Sequence, residues 1–196
     1  MEDFFAVKKL ICSLLFLCLI APVAWGNVKI DGNNFPDDVF RQYIEKFDTD
    51  DDNELSNSEI AIINKIEVSG KGISKLDGIE YLTSLNYLDC SVNLLTQLDI
   101  SNNTELAYLL CTNNQLTKLN VLDNKKLIYL ACHNNQITEL KTRNNTDLIT
   151  LYCANNQLTS LDVSNHKKLK YFQCGGNPLT EIDVSHNTEL YEFNCD

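Results

Sequence analysis

Basic residues are in short supply in this chain. It carries 16 Lys+Arg against 27 Asp+Glu in 196 residues, a formal net charge of −11. Such a surface repels phosphate backbones and anionic headgroups, which argues against nucleic-acid binding and electrostatic membrane binding. Long apolar runs are also scarce. The one at the amino terminus, Leu10 to Ile20 and its flanks, offers about 15 apolar residues, too few for a comfortable membrane span. It follows Lys8 and Lys9 and precedes Ala24-Trp25-Gly26, a small-x-small pattern of the kind signal peptidase cuts. Residues 1–26 therefore read as a secretory signal peptide, with an uncleaved anchor as the alternative because Glu2 and Asp3 are atypical there. Cys12 and Cys18 follow Ile11 and Leu17 rather than a small residue, so neither is placed for lipidation. Removing this segment leaves the net charge unchanged, since Lys8 and Lys9 offset Glu2 and Asp3.

Proline is nearly absent, at 3 residues, whereas Asn reaches 24 and Cys 8. The excess has a period. Cys90, Cys111, Cys132, Cys153, Cys174 and Cys195 are spaced 21 residues apart. Leu85, Leu106, Leu127, Leu148, Leu169 and Leu190 precede them in phase, and Asn93, Asn114, Asn135, Asn156 and Asn177 follow. One unit, beginning at Leu106, reads LAYLLCTNNQLTKLNVLDNKK and carries L-x-x-L-x-C-x-x-N-x-L. A looser copy begins at Ile63 and continues through Ile66, Val68, Ile73 and Leu76, with Lys71 where the Asn would stand.

This pattern is a leucine-rich repeat. The L-x-x-L-x-C stretch predicts a short strand whose Leu and Cys point inward while the intervening residues face solvent. The Asn predicts a side chain bridging backbone groups where the chain leaves the strand. Stacked coils place the strands about 4.8 Å apart in a parallel sheet on the concave face of a solenoid, with an irregular, extended convex side. A second ladder, Asn103, Asn124, Asn145 and Asn187 with His166 in the fourth place, marks the opposite turn. Motifs such as LDCSVNLLTQLDISNN and LYCANNQLTSLDVSN resemble the bacterial internalin-J-like leucine-rich repeat proteins, in which a cysteine takes an inner leucine position. The resemblance covers Ile63 to Asp196 and implies an extracellular or surface protein that binds partners, often as an adhesin. Neither an immunoglobulin-like domain nor a cell-wall sorting motif follows the repeats, unlike in surface-anchored members.

Six cysteines in a secreted chain would ordinarily suggest disulfides. In a parallel stack, equivalent Cβ atoms sit near the strand spacing of about 4.8 Å, wider than a disulfide's usual 3.5 to 4.5 Å, which favours an unpaired ladder. A linear ladder also lacks the convergence a metal site needs.

Residues 27–64 differ from the repeats and predict a helix-loop-helix cap, followed by repeats over 65–196. Pro36 opens a helical pattern with Val39, Phe40, Tyr43, Ile44 and Phe47 on one face and Asp37 and Asp38 in the first turn. Next, DTDDDNELSNSE places Asp48, Asp50, Asp52, Glu54, Ser56 and Glu59 at positions 1, 3, 5, 7, 9 and 12 of a twelve-residue loop resembling an EF-hand, with Leu55 inward at position 8. Calcium is therefore the expected ion, held by Asp48, Asp50, Asp52, the Glu54 carbonyl and Glu59. Asn53 stands where Gly is usual, and Asn tolerates the left-handed conformation better than other non-Gly residues. Ser56 and Glu59 also form an S-x-x-E capping box, an alternative explanation for both residues.

Catalysis is not expected: His133, His166 and His186 occupy different repeat positions, with no Ser or Cys nucleophile in phase. Outward strand positions carry Tyr87, Tyr108, Tyr129 and Tyr171, with Tyr152 two residues further along its own strand. Such a tyrosine column serves either as a cross-strand ladder or as a surface for a protein or glycan. The reading is a secreted or surface-exposed recognition module. The alternative is a structural module, either a fragment of a larger surface protein or a subunit that assembles through the edge of its last strand.

Overall fold

The computed structural model describes residues 26–196. The signal-peptide reading lies outside these residues except at Gly26. None of the described helices is long and apolar enough to cross a membrane.

Each 21-residue coil contributes one short strand whose central residue points inward against its counterparts in the neighbouring coils. The strands are β3 (Lys65–Glu67), β4 (Tyr87–Asp89), β5 (Tyr108–Leu110), β7 (Tyr129–Ala131), β9 (Thr150–Tyr152), β10 (Tyr171–Gln173) and β11 (Glu192–Asn194). They form one seven-stranded parallel sheet in that order. Ile66, Leu88, Leu109, Leu130, Leu151 and Phe172 stack inward and are fully buried. The convex side is mostly extended, with one addition to the expected picture. There β6 (Lys118–Asn120) and β8 (Glu139–Lys141) pair as a two-stranded parallel sheet.

The cysteines continue the inward column. Cys90, Cys111, Cys132, Cys153 and Cys174 are buried and unpaired, and Cys195 is unpaired and exposed. Burial pushes the Cys132 thiol up to about 12 and Cys174 to about 11, so these groups stay protonated and inert. With residues 1–26 removed, a thiol-specific reagent should label one cysteine in the folded protein and six in denaturant without reductant. Fewer than six in denaturant would mean that disulfides exist.

The two Asn ladders are what hold one coil to the next. The Asn114 Oδ1 accepts the Leu95 N–H at 3.0 Å, and its amide donates to the carbonyls of Cys90, Cys111 and Thr112. Asn93, Asn135, Asn156 and Asn177 make the same kind of bridge. On the opposite turn, the Asn124 amide donates to Ile100 and Asn103 carbonyls at 2.9 Å each, and Asn103, Asn145 and Asn187 repeat the arrangement. His166, the exception in that ladder, places Nε2 2.9 Å from the Thr142 hydroxyl. Thr142 interrupts a column of Ile100, Val121 and Val163, so the two departures from the repeat satisfy one another. Burial lowers the His166 pKa, which keeps the ring neutral.

The cap closes the first coil. Helix α1 (Asp38–Glu45) begins at Asp37, whose carboxylate accepts the N–H groups of Val39 and Phe40. Its other oxygen accepts from the Ser74 backbone at 2.8 Å and hydroxyl at 3.0 Å, so Asp37 ties the cap to the first repeat as well as capping the helix. Phe40 and Ile44 are buried at i and i+4, but Val39, expected on the same face, is 41% exposed because that pair sets the face on so short a helix. Strand β1 (Val28–Lys29) pairs antiparallel with β2 (Glu54–Leu55), and α2 (Asn57–Ile62) follows. The Phe35 ring packs edge-on against Phe40 and Tyr81, and the Tyr43 hydroxyl accepts the Glu67 N–H at 3.0 Å.

Candidate functional site

The concave sheet brings four of the five expected tyrosines together. Backbone register aligns Lys65, Tyr87, Tyr108, Tyr129, Thr150, Tyr171 and Glu192 across the strands. Ring centroids lie 6.0 Å apart for Tyr87 and Tyr108, and 6.4 Å for Tyr108 and Tyr129, both tilted. Tyr152, on the neighbouring outward column, meets Tyr129 edge-on at 6.0 Å and continues the row past Thr150. Tyr171 stands apart and pairs with Tyr191, a residue the repeat pattern did not single out because it lies one position before the column. Tyr108 is the most open of the five, at 38% exposure. Burial raises the phenol pKa of Tyr87, Tyr129 and Tyr152, so these hydroxyls remain neutral donors at physiological pH.

Carboxylates flank the rings. Glu67 holds Lys65 at 2.9 Å, and the Lys65 ammonium lies 4.9 Å from the Tyr87 ring centroid. Asp89 accepts the Ser91 N–H, and Glu192 accepts the Gln173 amide. Among the described residues, neither Asp89 nor Glu192 enters an ion pair. His133 sits half-buried, and His186 lies with Nδ1 3.1 Å from the adjacent Ser185 hydroxyl on an exposed turn.

The acidic loop of the cap forms a second candidate. Asp48, Asp50 and Asp52 each offer an oxygen within 4.8 Å of the others. Asp48 accepts the N–H groups of Asp52 and Asn53, which curls the loop, and Asp51 and Asn53 take φ of 58° and 62°. Asn53 thus does what a Gly would do at that turn. Repulsion from Asp52 first, then desolvation and repulsion from Glu59 and Asp48, raises the Asp50 pKa, as crowding of carboxylates does. Glu59 stands outside the trio. One oxygen accepts the Thr49 N–H and hydroxyl, the other the Ser56 N–H and hydroxyl, and those bonds, the Thr49 backbone first, hold its pKa down to about 2. The capping box is fully formed. The Glu54 side chain lies outside the trio as well.

The coils, their parallel register and the two Asn ladders define a leucine-rich repeat solenoid protein. No family model matches the chain. It is 37% identical over 71 residues to internalin J of Listeria monocytogenes serotype 4b (strain F2365), a match covering 36% of this chain and 8% of that protein. A solved functional domain of InlJ from Listeria monocytogenes, which includes a cysteine ladder, superposes with a TM-score of 0.68 at 32% identity, over 89% of this chain and 44% of that one. An internalin, InlF, from Listeria monocytogenes strain 4b F2365 gives a TM-score of 0.79 at 25% identity, over 87% and 52%. The internalin-J resemblance and the cysteine ladder therefore hold, while the chain spans no more than about half the length of these relatives.

Proposed function

We propose that the protein is a secreted or surface-exposed recognition module that binds a protein or glycan through its concave sheet. One observation carries the reading: Tyr87, Tyr108, Tyr129 and Tyr152 form a contiguous aromatic row on the outer face, while the buried apolar columns, the Asn ladders and the sheet hydrogen bonds hold the coils together. Partly exposed amphipathic rings on a rigid sheet bury area on contact with little entropy loss. Likeness to internalins supports a protein-binding module.

Once a glycan array or a surface-protein pull-down with the mature chain identifies a partner, Tyr108→Ala combined with Tyr129→Ala should weaken binding by about 30-fold or more. Stability should fall by only about 0.5 to 1.5 kcal/mol through lost ring contacts, so melting temperature is measured alongside affinity. Unchanged affinity in a normally melting double mutant would reduce the row to a structural ladder.

Calcium at the cap belongs to the same proposal. Asp48, Asp50 and Asp52 fit a hard cation: three converging carboxylates whose crowding a divalent ion would relieve. The Glu54 carbonyl would add to the set, Glu59 would join it only by exchanging its bonds to Thr49 and Ser56 for the ion, and the ion would supply cap rigidity rather than chemistry. Extracellular loops of this kind bind at about 10⁻⁴ to 10⁻³ M, so millimolar calcium should raise the melting temperature, and Asp50→Ala should abolish the rise. No shift in wild-type protein at about ten times that range would count against an ion here.

A further inference from the structure

We infer that the concave row takes an extended, cationic protein segment with Lys or Arg at alternating positions, each ammonium or guanidinium seated over one tyrosine ring. The inference rests on the concave-face reading and narrows its ligand class. The protein already displays the contact it needs. Lys65, at the head of the column, holds its ammonium 4.9 Å from the Tyr87 centroid while Glu67, two residues along the strand, supplies the counter-charge at 2.9 Å. Backbone register repeats that constellation one strand further on without its cation. Tyr108 follows Tyr87 in the ring column, and Asp89 follows Glu67 in the carboxylate column. Tyr108 is the open ring, and Asp89 has no ion-pair partner among the described residues. Glu192 leaves a second unpaired carboxylate at the far end of the column.

Spacing supplies an independent argument. Successive centroids along Tyr87, Tyr108, Tyr129 and Tyr152 are 6.0, 6.4 and 6.0 Å apart. Alternate side chains of an extended chain, at about 3.2 to 3.4 Å per residue, recur every 6.4 to 6.8 Å on one face. A strand laid along the row, across the sheet, thus presents residues i, i+2 and i+4 to consecutive rings. A polyproline helix, at about 3.1 Å per residue and three residues per turn, returns to the same face only every 9 Å or so and falls out of step. Cation–π attraction then acts at each ring, and the net charge of −11 steers the encounter.

The test uses the chain from residue 27 onward and two blocked octapeptides of identical composition, one alternating Lys with Ser and one with its four Lys contiguous. The alternating peptide should bind about 10-fold more tightly, since the block peptide can match charge but not ring spacing. Tyr108→Phe, which keeps the ring quadrupole, should retain the preference. Tyr108→Leu, which keeps only apolar bulk, should erase it. Asp89→Asn should weaken the alternating peptide and lessen its dependence on salt. Equal affinity for the two peptides, or a preference that survives Tyr108→Leu, overturns the inference. If neither peptide binds while a glycan or protein partner is lost on combined Tyr108→Ala and Tyr129→Ala, the cationic class is wrong and the concave-face reading stands. If that partner is also indifferent to the tyrosines, both fall.

Discussion

Replacing Asn114 with Ala should lower the melting temperature by about 10 °C or more, an effect out of proportion to the size of the side chain removed. Asn114 is almost wholly buried, and four hydrogen bonds end on it: one from the Leu95 N–H and three to the Cys90, Cys111 and Thr112 carbonyls. The Leu95 N–H has no other acceptor among the described residues, whereas each carbonyl keeps a further donor: the Asn93 amide at Cys90, the Asn135 amide at Cys111 and the Val92 N–H at Thr112. Leaving the Leu95 N–H unsatisfied costs about 1 to 3 kcal/mol and losing the three bonds to carbonyls about 0.5 to 1 kcal/mol each, a total of about 3 to 5 kcal/mol. At about 2 to 4 °C per kcal/mol for a chain of this size, the shift follows. Asn114→Asp should be no better despite its matching shape, because it turns a carboxylate oxygen toward three carbonyls. Exposed Gln115→Ala, next in sequence, is the control and should stay within about 0.5 kcal/mol. If Asn114→Ala and Gln115→Ala melt alike, the ladder is not what joins the coils.

The same repetition explains what could be read from sequence. Every inward Leu, every ladder Cys and every bridging Asn meets a copy of itself in the next coil, so a local pattern is also a long-range contact. The outward tyrosines were legible for the same reason, since strand alternation alone fixes their side of the sheet. What escaped is whatever depends on one coil meeting something unlike itself. Asp37 reads as a first-turn acid, but half its role is to hold Ser74, 37 residues away. Glu59 reads both as a calcium ligand and as the capping-box partner of Ser56; the box is legible from the S-x-x-E spacing, whereas the bonds to Thr49, ten residues back, depend on the loop's three-dimensional path. The Thr142 and His166 pair was half visible: a Thr among Ile and Val, 24 residues before a His among Asn, each odd alone and complementary together. Tyr191 was missed because the last coil turns a residue off the outward column to meet Tyr171.

Gly78→Ala should be as damaging as the loss of Asn114, and for a reason no repeat pattern contains. Gly78 has φ of 100°, a conformation that L side chains rarely adopt, and an added Cβ would lie 2.3 and 2.5 Å from the Phe35 ring and 2.6 Å from the Asn34 carbonyl oxygen. Phe35 cannot retreat easily. It is fully buried, edge-on to both Phe40 and Tyr81, and it is the ring through which the cap meets the first coil. Backbone strain of about 1 to 2 kcal/mol and overpacking of about 1 to 3 kcal/mol therefore add, giving roughly 2 to 5 kcal/mol. Gly72→Ala separates the two terms, since Gly72 has φ of 72° but nothing within 4 Å of its would-be Cβ. It should lose only the strain. Limited proteolysis of the Gly78→Ala protein should cut first within residues 27–64, because a displaced Phe35 frees the cap while the coils retain their ladders. Adding Phe35→Leu to Gly78→Ala should cost less than the two single losses combined, as expected of residues that compete for one space. Equal melting temperatures for Gly78→Ala and Gly72→Ala would show that Phe35 is not wedged against this turn and that the cap is held by Asp37 and Tyr43 instead.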